Sequence, residues 1–194
     1  MTPIRALLLA APLSLAACSF GPKVPPTLMV MTPAAMQPVG AARSVTQGQA
    51  VAISWPTTPA ALASLRVPVQ QGPTAIAYLK DAQWSEPPAR LFRNLLAETV
   101  SAKTGRVVLD QRQPVVASGQ RLTGRLLAFG VDEPTSSAVV IYDAALVRDG
   151  TEGAQLRRFE ARVPLTTIDV ATVAPALNQA ANQVAGEVAG WIGG

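Results

Sequence analysis

The sequence predicts a mixed α/β fold of the α+β kind. It is a single domain, with a mixed sheet of about six to eight strands carrying two main helices and closing in an antiparallel meander. Three observations point there. Residues 121–131, 138–148 and 156–165 form three strand-like runs in succession, separated only by turn residues. Leu91, Phe92, Leu95, Leu96, Thr99 and Val100 recur at spacings of three and four, the mark of a helix with one buried face. The chain then closes with a long alanine-rich segment whose apolar residues repeat in the same way.

In chain order, residues 18–47 come first as a proline-rich tether. Pro22, Pro25, Pro26, Pro33 and Pro38 resist helix and favour an extended chain. Within it, residues 27–31 are apolar after Thr27 and form a candidate first strand ended by Thr32-Pro33. The folded domain is expected over 48–194. Residues 50–55 read as a short strand stopped by Pro56. In 64–69, Leu65, Val67 and Val69 alternate with Arg66 and Pro68, a strand with one buried face, and Pro68 places it at an edge or on a bulge because it cannot donate to a ladder. Residues 74–79 form another short strand.

Residues 83–88 open the most legible helix. Ser85 is its expected cap, Pro87 and Pro88 suit a first turn whose amides are unpaired, and Glu86 suits the positive end of the helix dipole. Lys103 and Gly105 supply the stop. The apolar triplet in 106–110 suggests a central strand buried on both faces. The meander follows, with Gly124 as a candidate bulge or bend. The last helix, 170–192, carries Val173, Leu177, Ala181, Val184, Val188, Trp191 and Ile192 on one stripe and Asn178, Gln179, Asn182, Gln183 and Glu187 on the other, with Pro175 expected in its first turn. Gly186 and Gly190 weaken that helix by about 1 kcal/mol each relative to alanine, so packing must hold it.

Residues 1–17 have the layout of a signal peptide, with Arg5 followed by an apolar run too short for the roughly 20 residues of a membrane span. Leu15-Ala16-Ala17-Cys18 resembles a bacterial lipobox, in which the cysteine is acylated and becomes the first residue of the mature chain. Cys18 is therefore the expected lipidation site, carrying palmitate-type acyl chains. Each buried CH2 contributes roughly 0.8 kcal/mol, so several chains anchor firmly. Ser19, where an aspartate would favour retention at the inner membrane, points by the sorting convention of such lipoproteins to the periplasmic face of the outer membrane.

Composition excludes several chemistries. There is no histidine, and with Cys18, the sole cysteine, acylated there is no free thiol, which removes the commonest general base, cysteine nucleophiles, Cys/His metal sites and disulfides. Only Lys23, Lys80 and Lys103 could serve a serine-lysine hydrolase, and none lies three residues after a serine. No phosphate-binding glycine loop is present. The net charge is +4, but the cations are scattered, with no basic stripe for nucleic acid. The expectation is a protein that is not an enzyme and has no cofactor and no metal.

The lipobox, the tether, the Leu-Met-Val-Met-Thr-Pro segment, the Val-Pro-Val strand with Tyr78-Leu79 after it, Trp84-Ser85-Glu86-Pro87 before a helix bearing Arg93 and Leu96, and the late alanine-rich helix together resemble the ABC-type transport auxiliary lipoprotein component family. The resemblance implies an outer-membrane lipoprotein that partners an ABC lipid transporter by docking to its periplasmic subunit, which carries a mammalian-cell-entry domain. It leaves contact with phospholipid and assembly as a homo-oligomer open. The candidate partner or lipid contacts are Tyr78, Trp84, Glu86, Arg90 and Arg93, set against plainer roles: Trp84 as a staple packing the helix on the sheet, Arg90 and Arg93 as a solvated helix face. The alternative is a lipoprotein of envelope assembly, serving outer-membrane proteins or the cell wall, with no transport role.

Overall fold

The computed structural model describes residues 25–42, 44–46, 48–109 and 119–194. In chain order the elements are β1 (Val51–Ile53), β2 (Arg66–Gln70), β3 (Ile76–Gln83), α1 (Pro88–Thr104), β4 (Val108–Leu109), β5 (Gln120–Asp132), β6 (Ser137–Arg148), β7 (Gln155–Pro164) and α2 (Val170–Gly193). The seven strands form one mixed sheet, as the sequence predicts.

β5 is the axis of that sheet. One side pairs antiparallel with β6 along its whole length, and β6 pairs in turn with β7. The other side is shared: β1 lies parallel to its start (Val51 opposite Gln120) and β2 parallel to its end (Val69 opposite Val131). Thr57 bridges the gap, donating its amide to Gly124 O at 3.1 Å and accepting from the Leu126 amide at 2.9 Å. A 3-10 turn at Ala60–Leu62 lies between. β4 flanks β1, and β3 flanks β2.

The meander follows the period of two. Ala138, Val140, Tyr142, Ala144 and Leu146 of β6, with Phe159, Ala161 and Val163 of β7, join the apolar stripes of α1 and α2 in one core, while Arg158, Glu160 and Arg162 stay in water. Burying each large apolar side chain contributes roughly 1.5–3 kcal/mol, and this layer is where the stability resides. In β5 the inward set changes parity, from Leu122 and Leu126 to Phe129 and Val131, because the pairing with β6 shifts register between Leu126 and Ala128. The bulge therefore sits beside Leu127 rather than at Gly124. Gly124 has a different role: a Cβ there would stand 2.6 Å from the Tyr142 ring, which lies across it and donates its hydroxyl to Thr123 O at 3.2 Å. Burial pushes the Tyr142 hydroxyl pKa well up.

Other expectations are corrected by local chemistry. Ser85 does not cap α1; Pro87 occupies the cap position at φ −53°, ψ 139°, without a side-chain bond, and the helix starts at Pro88. A proline disfavours helical backbone in the residue before it, so the Pro-Pro pair delays the helix past both Ser85 and Glu86. Gly105 does end it, at φ 69° in the left-handed region. Among the described residues β4 is a two-residue, half-buried strand at the sheet edge, not a central one, because the three-residue β1 is its one partner there. Pro68 lies on a strand paired on both sides, and the register shift between Arg66 and Pro68 accommodates it. Pro175 sits past the first turn of α2, whose cap is Asp169, its Oδ1 accepting from the Thr172 amide at 2.9 Å.

The 27–31 segment forms no strand but a single bridge, in which the Met29 amide donates to Gln83 O at 2.8 Å and Met29 O accepts from the Ser85 amide at 2.9 Å. From there the chain runs across both helices as an extended strap. The Thr32 amide donates to Asn178 Oδ1 at 2.9 Å, the Ala34 amide to Asn182 Oδ1 at 2.7 Å, and Asn182 Nδ2 returns a bond to Thr32 O at 3.0 Å. The Gln37 amide donates to Glu98 Oε1 at 2.7 Å, and Gln37 Nε2 to Ser101 O at 2.6 Å. Two members of the polar row of α2, Asn178 and Asn182, thus hold the strap. Asn182→Ala removes the acceptor of the Ala34 amide, and about 1.4 kcal/mol of lost docking should speed hydrogen exchange at that amide roughly tenfold without lowering protection in β6. Unchanged exchange at Ala34 would contradict the strap's dependence on Asn182.

Candidate functional site

The start of α1 and the end of β1 bring a tryptophan and three charged side chains together. Trp55 follows β1 and is half-buried. The guanidinium of Arg90 lies 5.5 Å from the centre of its ring and that of Arg93 5.4 Å, both within cation–π range. Arg90 and Arg93 are three residues apart and so share one side of the helix. Glu86 Oε2 meets Arg90 Nε at 3.1 Å, an exposed pair contributing less than about 1 kcal/mol. Arg93 is tied differently: its Nε donates to Ile53 O at 3.3 Å and its Nη2 to Leu109 O at 3.5 Å, which pins α1 to the β1–β4 edge. The patch pairs one flat aromatic face with two cations and a single carboxylate. It suits an acidic surface on another molecule.

Of the sequence candidates, Arg90 and Arg93 thus meet over one ring, and Glu86 pairs with Arg90. Tyr78 belongs elsewhere, stacked under the Arg66 guanidinium at 4.0 Å on the β2–β3 hairpin. Trp84 is fully buried, 5.3 Å from Phe129 between ring centres, and presents no surface to a partner. Its Nε1 has no hydrogen-bond partner among the described residues. Cys18 lies outside the described residues. Sequence reasoning missed Trp55, which reads simply as the close of a strand; its setting depends on a helix 35 residues further on.

The sheet face away from the helices is open. Arg158 forms a two-point bond to Asp143 at 2.6 and 2.7 Å, and Arg162 bonds Asp132 at 2.8 Å and Glu160 at 2.6 Å. Hydrogen bonds from Thr135 and Arg162 hold the Asp132 carboxyl below its ordinary value, and those from Arg158 do the same for Asp143. An apolar hollow of about 400 Å³ lies on this face, lined by Leu62, Pro68, Leu127, Val139 and Ile141 among others. No group of three metal-ligating side chains occurs among the described residues, and no helix among them is long and apolar enough to cross a membrane.

Comparison with known proteins places this geometry. The family model described as ABC-type transport auxiliary lipoprotein component matches residues 30–189. A Xanthomonas campestris crystal structure, of the family model DUF330, is 22% identical with a TM-score of 0.64, covering 87% of this chain and 92% of that one. A second crystal structure, of an uncharacterised protein, is 17% identical with a TM-score of 0.65, covering 75% of this chain and 93% of its own. Both likenesses concern the fold. No curated protein matches the sequence.

Proposed function

The chain belongs to the ABC-type transport auxiliary lipoprotein component family, and from that premise we propose that it is a non-catalytic, lipid-anchored partner of an ABC lipid transporter. Acylated Cys18 holds it at the periplasmic face of the outer membrane, and the domain docks to the transporter's periplasmic subunit that carries the mammalian-cell-entry domain. The observation that carries this reading is the patch of Arg90 and Arg93 over Trp55, an accessible aromatic and cationic surface fixed to a rigid sheet edge. Aromatic and arginine side chains are the ones that dominate binding energy at protein interfaces. The ATPase supplies energy on the far side of the inner membrane, so the anchored domain needs only to receive and position its partner.

Photoreactive residues at Trp55 and Arg90 in intact cells should give adducts with the transporter's periplasmic subunit, while one at Glu160 on the open sheet face should not. Arg90→Glu, at an exposed position, should leave folding intact and reduce the adduct from position 55 several-fold. The reading fails if neither position yields a transporter adduct, or if Glu160 yields as much.

A further inference from the structure

The strap shows the period of two of an extended chain lying on a surface, but both of its faces are largely apolar. Met29, Met31, Pro33, Ala35 and Gln37 turn toward the helices, and Leu28, Val30, Thr32, Ala34 and Met36 turn outward. An extended segment wet on one side normally shows water its polar residues. Here Leu28 is 45% exposed, Val30 59%, Met36 64% and Val39 104%. These are four of the seven large apolar side chains exposed among the described residues; the other three, Ile76, Val147 and Leu156, are spread over β3, β6 and β7. Scattered exposed apolar residues need no explanation, whereas a row of them does.

We propose that this row is a membrane seat: Leu28, Val30, Met36 and Val39 rest in the headgroup region of an anionic phospholipid leaflet, the one that holds the acylated Cys18. The proposal depends on the reading above that Cys18 is acylated. Two facts select a lipid surface over a protein. Leu28 lies ten steps along the chain from Cys18, and at roughly 3.3–3.6 Å per residue these reach no further than about 35 Å, so the strap begins within that distance of the bilayer. The first acidic residue of the whole chain is Asp81, whereas Lys23 precedes the strap and Arg43 follows it in the sequence. A cation near an anionic leaflet contributes about 1 kcal/mol, and no carboxylate in this stretch opposes it. The strap is also held in shape beforehand by Asn178, Asn182 and Glu98, which lowers the ordering cost of seating it. The Glu98 carboxylate beside it accepts from the Gln37 amide.

The test uses the mature lipoprotein reconstituted in vesicles of phosphatidylethanolamine and phosphatidylglycerol, with spin labels on Val30→Cys or Met36→Cys and on Leu156→Cys for comparison. Labels at 30 and 36 should become several-fold more accessible to oxygen than to a water-soluble nickel chelate, with no such change at 156. Vesicles of phosphatidylcholine alone should weaken the effect. Labels at 30 and 36 that stay as hydrated as at 156 would overturn the proposal, as would shielding that appears only at high protein density, which would assign the row to a second copy. A Cys18 without acyl chains would remove the premise, and mass spectrometry of the N-terminal peptide distinguishes that failure from failure of the seat.

Discussion

Trp84→Ala is expected to cost about 3–5 kcal/mol of stability, the usual range for deleting a fully buried large aromatic, and so to lower the melting midpoint by roughly 10 °C. The ring fills the junction where Met29 bridges to the end of β3, and it packs against Phe129 of β5. Its loss opens a cavity that the surrounding strands, fixed by their ladders, cannot close. Trp84→Phe is the informative companion. The indole Nε1 is buried with no partner among the described residues, and an unmet buried donor costs roughly 1–3 kcal/mol. Replacing it with a ring lacking that donor removes the penalty while keeping most of the packing. Denaturant midpoints should therefore rank wild type and Trp84→Phe close together and Trp84→Ala far below, at unchanged m-value. A midpoint for Trp84→Ala within about 1 kcal/mol of wild type would contradict the core role assigned to this residue.

The second large effect concerns attachment. Under the proposed reading, a Cys18→Ala form whose residues 1–17 are exchanged for a signal peptide with an ordinary small-x-small cleavage site should move from the membrane fraction to the soluble periplasmic fraction and lose incorporation of labelled palmitate. An acyl chain of ordinary length contributes more than about 10 kcal/mol of transfer free energy by the CH2 increment, and the side chain of alanine offers none. Any residual membrane association, carried by the strap alone, should be removed by salt, because the cations near it act through screened electrostatics. Firm, salt-resistant retention of this cleaved Cys18→Ala form would refute lipid anchorage at this residue.

The meander and the buried stripe of α1 were legible because each depends on the spacing of neighbouring residues. Phe159, Ala161 and Val163 alternate with Arg158, Glu160 and Arg162, and the structure reproduces that alternation as buried and exposed. Features decided at a distance were not legible. The apolar triplet before residue 110 looks central, but which strand it can reach is set by β1, more than fifty residues earlier. The polar row of α2 is plain in the sequence, yet its partners lie 146 and 148 residues away on the strap, and no local pattern joins them. Competition between two local rules explains Ser85: a good capping residue was overruled by the backbone demands of the Pro-Pro pair after it. The candidate patch was half legible in the same sense, since Glu86, Arg90 and Arg93 share one helix start while Trp55 arrives from another part of the chain.

The shared flank of β5 has a consequence for how the chain reaches this state. β5, β6 and β7 are joined by short turns and can find one another by local search, whereas β1 and β2, whose other edges pair with β4 and β3, must wait for β5, which begins at Gln120. Pairings that close long loops are slow, because chain entropy is lost before the contacts reward it. A chain emerging with its N-terminus first therefore presents one unpaired edge on each of β1 and β2 until β5 has been delivered. During that interval these strands are natural clients for the holding chaperones that keep unfinished sheets apart.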